Sequence, residues 1–152
     1  MFKTNEIQAH GGNSVRSMAE AYLKMSVDQI TQSFYVDGEA IICDTDGHVI
    51  SIKAGDLNIK RNTDIFSKKC QLLMLTFPYS FVTIVYFEVR KNKKSMVRTL
   101  VAYVNVKKTG SAIVCRSLIP KGPDKQGLVL GKEAKYAGLL LPLFKLIDNK
   151  YK

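Results

Sequence analysis

Histidine, cysteine and clustered carboxylates are where this sequence could do covalent or metal chemistry, and they are few. His10 and His48 each stand beside glycine, in stretches that read as a loose arm and a turn. Cys43 and His48 are near enough in sequence for a Cys–His dyad, but Cys43 ends an apolar run and reads as a core thiol beside a turn histidine. Cys43, Cys70 and Cys115 are odd in number, far apart and without a C-x-x-C pair. Neither a redox motif nor a zinc knuckle is indicated, and reduced, buried thiols are expected. No G-x-S-x-G or H-E-x-x-H motif occurs.

The carboxylates Asp37, Glu39, Asp44 and Asp46 sit at adjacent turns and could hold a cation. Asp44-Thr45-Asp46-Gly47 opens like a calcium loop, yet the twelfth position, where a bidentate Glu is needed, is Gly55. Two carboxylates and water would suffice for Mg²⁺, against the plainer reading of turn-forming aspartates. Near the other end, Gly127 and Gly131 are separated by three residues where a phosphate loop needs four, and Glu133 stands where Ser or Thr belongs. The expectation is a chain with no catalytic residues, no metal site and no cofactor.

What remains is basic. Arg90, Lys91, Lys93 and Lys94 crowd one turn, with Arg98 just beyond; Lys107 and Lys108 fill the next; Lys60 and Arg61 precede the central strands; Lys121 and Lys125 lie in a late loop. Residues 1–57 carry a balance of −4 and residues 58–152 one of +14, giving a net charge of +10. Such asymmetry points to polyanionic partners: nucleic acid or nucleoprotein, or an anionic membrane surface. Lysine-rich turns also protect sheet edges from pairing. There is no Trp, and Phe81, Phe87, Tyr86 and Tyr103 read as core. Contact with nucleic acid is therefore expected at phosphates and to be largely independent of base sequence.

These residues must be positioned by a sheet. The run from Leu72 to Val106 reads as two long β-rich segments about Lys91–Lys94, with Val85 expected opposite Leu100 and Ile84 opposite Val101. One face then carries Phe81, Val85, Phe87, Leu100, Ala102 and Val104. The other carries Val82, Ile84, Tyr86, Val97, Val101 and Tyr103. With both faces apolar, the hairpin is expected to be central and covered on both sides.

Upstream, residues 1–13 read as an arm. Ser14 is placed to cap a helix with Val15, Met18, Tyr22 and Met25 on one side. Ser26 with Gln29 suggests a further turn or a bend. Phe34–Val36, Ala40–Cys43 and Val49–Ala54 are separated by Asp-Gly or Gly-Asp signals, as in an antiparallel meander. Cys70–Phe77 is expected to be extended, Ser111–Ile119 a strand, and Pro120–Gly131 a loop. From Lys132 a helix is expected, with Tyr136, Leu139, Leu140, Leu143 and Ile147 on its apolar stripe and Pro142 kinking it.

The result is one α+β domain over residues 1–152, with an antiparallel sheet of about seven or eight strands and an N-terminal and a C-terminal helix packed on it. At 152 residues, 46% apolar and 24% charged, this is an ordinary globular composition. The start, MFKTNEIQAHGG, has no hydrophobic core, and Leu72–Phe87 is too short and broken to cross a membrane. A reducing, cytosol-like compartment is expected.

Three functions compete. The first is a non-enzymatic basic module that contacts nucleic acid or nucleoprotein. The second is a viral-matrix-type assembly protein that self-associates through Leu141 and Phe144 and binds an anionic membrane. The third is a metal-dependent enzyme using the Asp37–Asp46 carboxylates.

Overall fold

The computed structural model describes residues 15–28, 38–76, 78–92, 95–122, 125–135 and 138–150. The arm, Ser14, the Phe34–Val36 strand, Asp37, Lys93, Lys94 and Tyr136 lie outside them. The elements run α1 (Val15–Asp28), β1 (Glu39–Asp44), β2 (Val49–Lys53), α2 (Lys60–Thr76), β3 (Tyr79–Asn92), β4 (Ser95–Val106), β5 (Gly110–Gly122), β6 (Lys125–Glu133) and α3 (Leu141–Lys150). Among the described residues six strands, against the seven or eight expected for the chain, form one antiparallel sheet in the order β2-β1-β3-β4-β5-β6.

The central β3–β4 hairpin follows from its alternation. Phe81, Val85, Phe87, Leu100, Ala102 and Val104 pack against Met18, Tyr22, Leu23 and Val27 of α1, on what we call the front face. Val82, Ile84, Tyr86, Val101 and Tyr103 pack on the back face against Phe66, Cys70 and Met74 of α2 and Leu143, Phe144 and Ile147 of α3. The register is two residues from the expected one: Phe87 opposes Leu100 and Val85 opposes Ala102, because Asn92 pairs with Ser95 and the connection is Lys93–Lys94. A two-residue slip leaves every side chain on its own face, so the sorting of faces is unaffected. α1 spans the Ser26 bend signal, and Tyr22 stacks on Phe81 with centroids 6.0 Å apart.

Two stretches fold differently from their sequence reading. Residues 70–76 are helical, not extended. Phe66, Cys70 and Met74 recur every fourth residue and give α2 one fully buried side, which outweighs the local strand-like look of Leu72–Leu75. Burial pushes the Cys70 thiol up to about 12, as befits an inert core residue. α2 ends at Thr76, just ahead of Phe77-Pro78 in the sequence; proline disfavours helix at the residue before it.

Residues 120–122 and 125–131 are not loop but strand, the distal part of the β5–β6 hairpin. Gly131 is there for space: a Cβ on it would lie 2.4 Å from Ser117 Oγ, at a register shift between the strands. Helix α3 begins at Leu141, later than expected, which puts Pro142 in the first turn, where its missing N–H costs nothing.

Candidate polyanion-binding end of the sheet

In an antiparallel sheet of this order the β3–β4 and β5–β6 connections fall at one end, and the β1–β2 and β4–β5 connections at the other. β4 and β5 stay paired only as far as Thr99–Ser117. Beyond that rung the two hairpins continue separately, to Asn92–Ser95 and to Gly122–Lys125. They form a fork whose prongs are about 13 and 17 Å long at 3.3–3.4 Å per residue.

Arg90 and Lys91 lie on the first prong, which also carries the exposed Arg98. Lys121 and Lys125 lie on the second. The start of α2 is tied to the same end through Asn58. Its Nδ2 donates to Phe87 O at 3.2 Å, and its Oδ1 accepts from Val89 N at 2.9 Å. That amide occupies the edge of β3 where β1 has ended, since the last β1–β3 rung in this direction is Glu39–Val85. Lys60 and Arg61 follow, both exposed. Seven of the eleven basic residues nominated from sequence therefore share one end, and Lys93 and Lys94 are the residues joining Asn92 to Ser95. Residues 89–98 contain five Lys/Arg and no Asp or Glu.

Lys107 and Lys108 sit at the opposite end. Lys107 N donates to Ser80 O at 3.0 Å, and Ser80 Oγ donates to Asp44 O at 3.1 Å. This links them to the acidic β1–β2 turn, so the far end is mixed in sign. In that turn Asp44 Oδ1 accepts from the amides of Asp46 (2.9 Å) and His48 (2.7 Å), and Oδ2 lies 3.0 Å from His48 Nδ1. Burial raises the Asp44 carboxyl, but the His48 amide and ring and the Asp46 amide outweigh it and hold it below the usual carboxylate range.

Donor atoms of Asp44, Asp46 and His48 come within 4.8 Å of one another, and those of Asp44 are already engaged by the turn. Glu39, at the other end of β1, bonds Ser51 instead (2.9 Å). The His48 ring faces Asp44, and the Cys43 thiol donates to Asp44 O at 3.6 Å, so the Cys–His dyad is not formed.

Other charges serve the fold. Arg116 joins Glu20 of α1 (2.9 Å) to Gly131 O (2.6 Å), and Arg16 pairs with Glu133. Glu88, fully buried at the base of the first prong, accepts from Tyr86 Oη and from Leu139 N, both at 3.1 Å, fastening the approach to α3. Phe144, expected on an outward edge, is fully buried and stacked on Tyr103 at 4.3 Å. That correction removes it as a surface contact; Leu141 is half-buried and Leu146 is the exposed apolar residue of α3. A pocket of about 620 Å³ beside β5 is lined by Ile113, Cys115, Glu133, Ala134, Lys135, Gly138 and Leu141. The sequence reading did not find Asn58, Glu88 or the outer side of α2; alternation and turn signals say nothing about any of them.

No protein-family model, curated protein or solved structure matches the chain. Among the described residues no helix is long and apolar enough to cross a membrane.

Proposed function

We propose that this chain is a non-enzymatic binding module that grips nucleic acid or nucleoprotein through backbone phosphates at the forked end of its sheet. One observation carries the reading: two separate hairpins and the start of α2 bring basic residues to the same end, while the acidic β1–β2 turn is at the other. The first prong supplies the dense charge, the second and Lys60–Arg61 flank it, and every aromatic side chain among the described residues is buried, which favours phosphate contact over base stacking there.

The test is a salt titration of binding to duplex DNA, single-stranded DNA and RNA of unrelated sequences. The proposal expects similar affinities across sequences and a steep, linear fall of log affinity with log salt. A weak, salt-independent interaction, or one confined to a single sequence, would overturn it.

A further inference from the structure

The outward side of α2 is built unlike an ordinary solvated helix face. Among its described side chains the exposed ones are Lys60, Arg61, Asp64, Ile65, Lys68, Lys69, Leu72 and Thr76. At 3.6 residues per turn, Arg61, Ile65, Lys68 and Leu72 fall within about 60° of one another, opposite the buried Phe66, Cys70 and Met74. Ile65 is 44% and Leu72 65% exposed, at the crest of the helix and not at its margins. Single exposed apolar residues are common, but these two stand about 10.5 Å apart along the axis with cations between them and beside them. The helix has one acidic residue, Asp64, against Lys60, Arg61, Lys68 and Lys69. On the same layer α3 exposes Lys145 and Leu146, again a cation beside an apolar side chain.

We infer that the outer face of α2 docks on an anionic lipid bilayer, with Ile65 and Leu72 entering the headgroup region and Arg61, Lys68 and Lys69 meeting lipid phosphates. The shape and charge select this occupant. A convex ridge offers a peptide no groove, whereas a fluid headgroup layer conforms to it. Lysine stems lie along apolar surface while their ammonium groups stay in the polar layer. Attachment of this kind is peripheral: the main apolar face of α2 stays on the sheet, and two apolar side chains among cations meet the anionic headgroup layer. The surface is separate from the prongs and shares only Arg61 with the proposed nucleic-acid end, so Ile65, Lys68, Lys69 and Leu72 can be changed without touching that end.

Co-sedimentation with phosphatidylcholine vesicles, and with vesicles in which phosphatidylserine replaces a third of the lipid, tests the inference. Binding is expected to the second and not to the first. K68Q/K69Q should weaken it about 25-fold, about fivefold for each lysine near the surface. I65S/L72S should weaken it at least about tenfold, since each buried CH₂ counts for roughly fourfold. The same serine variant should bind RNA as the parent does, which separates this inference from the proposed function. The chain has no Trp, so Leu72→Trp supplies a single fluorophore. Its emission should shift to the blue on adding the anionic vesicles and stay put with the neutral ones. Unchanged vesicle binding by I65S/L72S, an unmoved emission, or binding to an acidic protein without binding to anionic vesicles would overturn the inference.

Discussion

Phe144 decides whether α3 is a layer of the core or a surface for another subunit, and its removal has a calculable cost. The ring is fully buried, lies parallel to Tyr103 (4.3 Å, 5°) and tilts against Tyr86 (6.3 Å, 52°). Phe→Ala in such a site costs about 3–5 kcal/mol, the aromatic pairs placing it toward the upper end. That is a large share of a total stability of about 5–15 kcal/mol. At about 2–4 °C per kcal/mol for a domain of this size, Phe144→Ala should lower the melting temperature by about 6–20 °C. Leu146→Ser, on the same helix but 46% exposed, should stay within about 0.5 kcal/mol of the parent. Thermal melts followed by circular dichroism, with urea titration of each variant, provide the comparison. A Phe144→Ala melt within about 2 °C of the parent, or a larger loss from Leu146→Ser, would refute the packing of α3 described above.

Asn58→Ala should cost about 1–3 kcal/mol, because it leaves Val89 N and Phe87 O without the amide that caps the β3 edge. Hydrogen exchange read at the Val89 amide should accelerate more than exchange elsewhere in β3. The Asp44 carboxyl is held below its ordinary value. Its stabilisation is therefore complete above the usual carboxylate range and is lost as pH falls through the lowered pKa, below about pH 4. Melting curves from neutral pH into acid should show that acid loss in the parent, and a smaller loss over the same window in Asp44→Asn.

The faces of the β3–β4 hairpin were legible because strand alternation has a period of two and survives an error of two in register. The register itself was not, because Lys91-Asn92-Lys93-Lys94 has no glycine to fix the turn. α2 was hidden for another reason. Leu72-Leu73-Met74-Leu75 is apolar in succession, and only the wider spacing of Phe66, Cys70 and Met74 shows a helix. Prolines and glycines at 120–131 suggested a loop, whereas Gly131 answers a steric demand of the opposing Ser117. For the site, the separation of Lys107 and Lys108 from the first basic turn needs only strand direction, since successive turns of an antiparallel hairpin series fall at opposite ends. The approach of Lys60–Arg61 depends on Asn58 reaching a strand about thirty residues away, which no local pattern encodes.

On the proposed function the forked end, and not net charge in general, binds polyanion. The direct test is to compare Lys91→Gln/Lys93→Gln/Lys94→Gln with Lys107→Gln/Lys108→Gln in salt titrations on one duplex and one single strand. The first variant should flatten the log-affinity against log-salt slope by about 0.9 per lost phosphate contact on duplex, or about 0.7 on single strands. The second should leave the slope as it was. Equal flattening per lysine removed from either end, or an unchanged slope in the first variant, would contradict the claim.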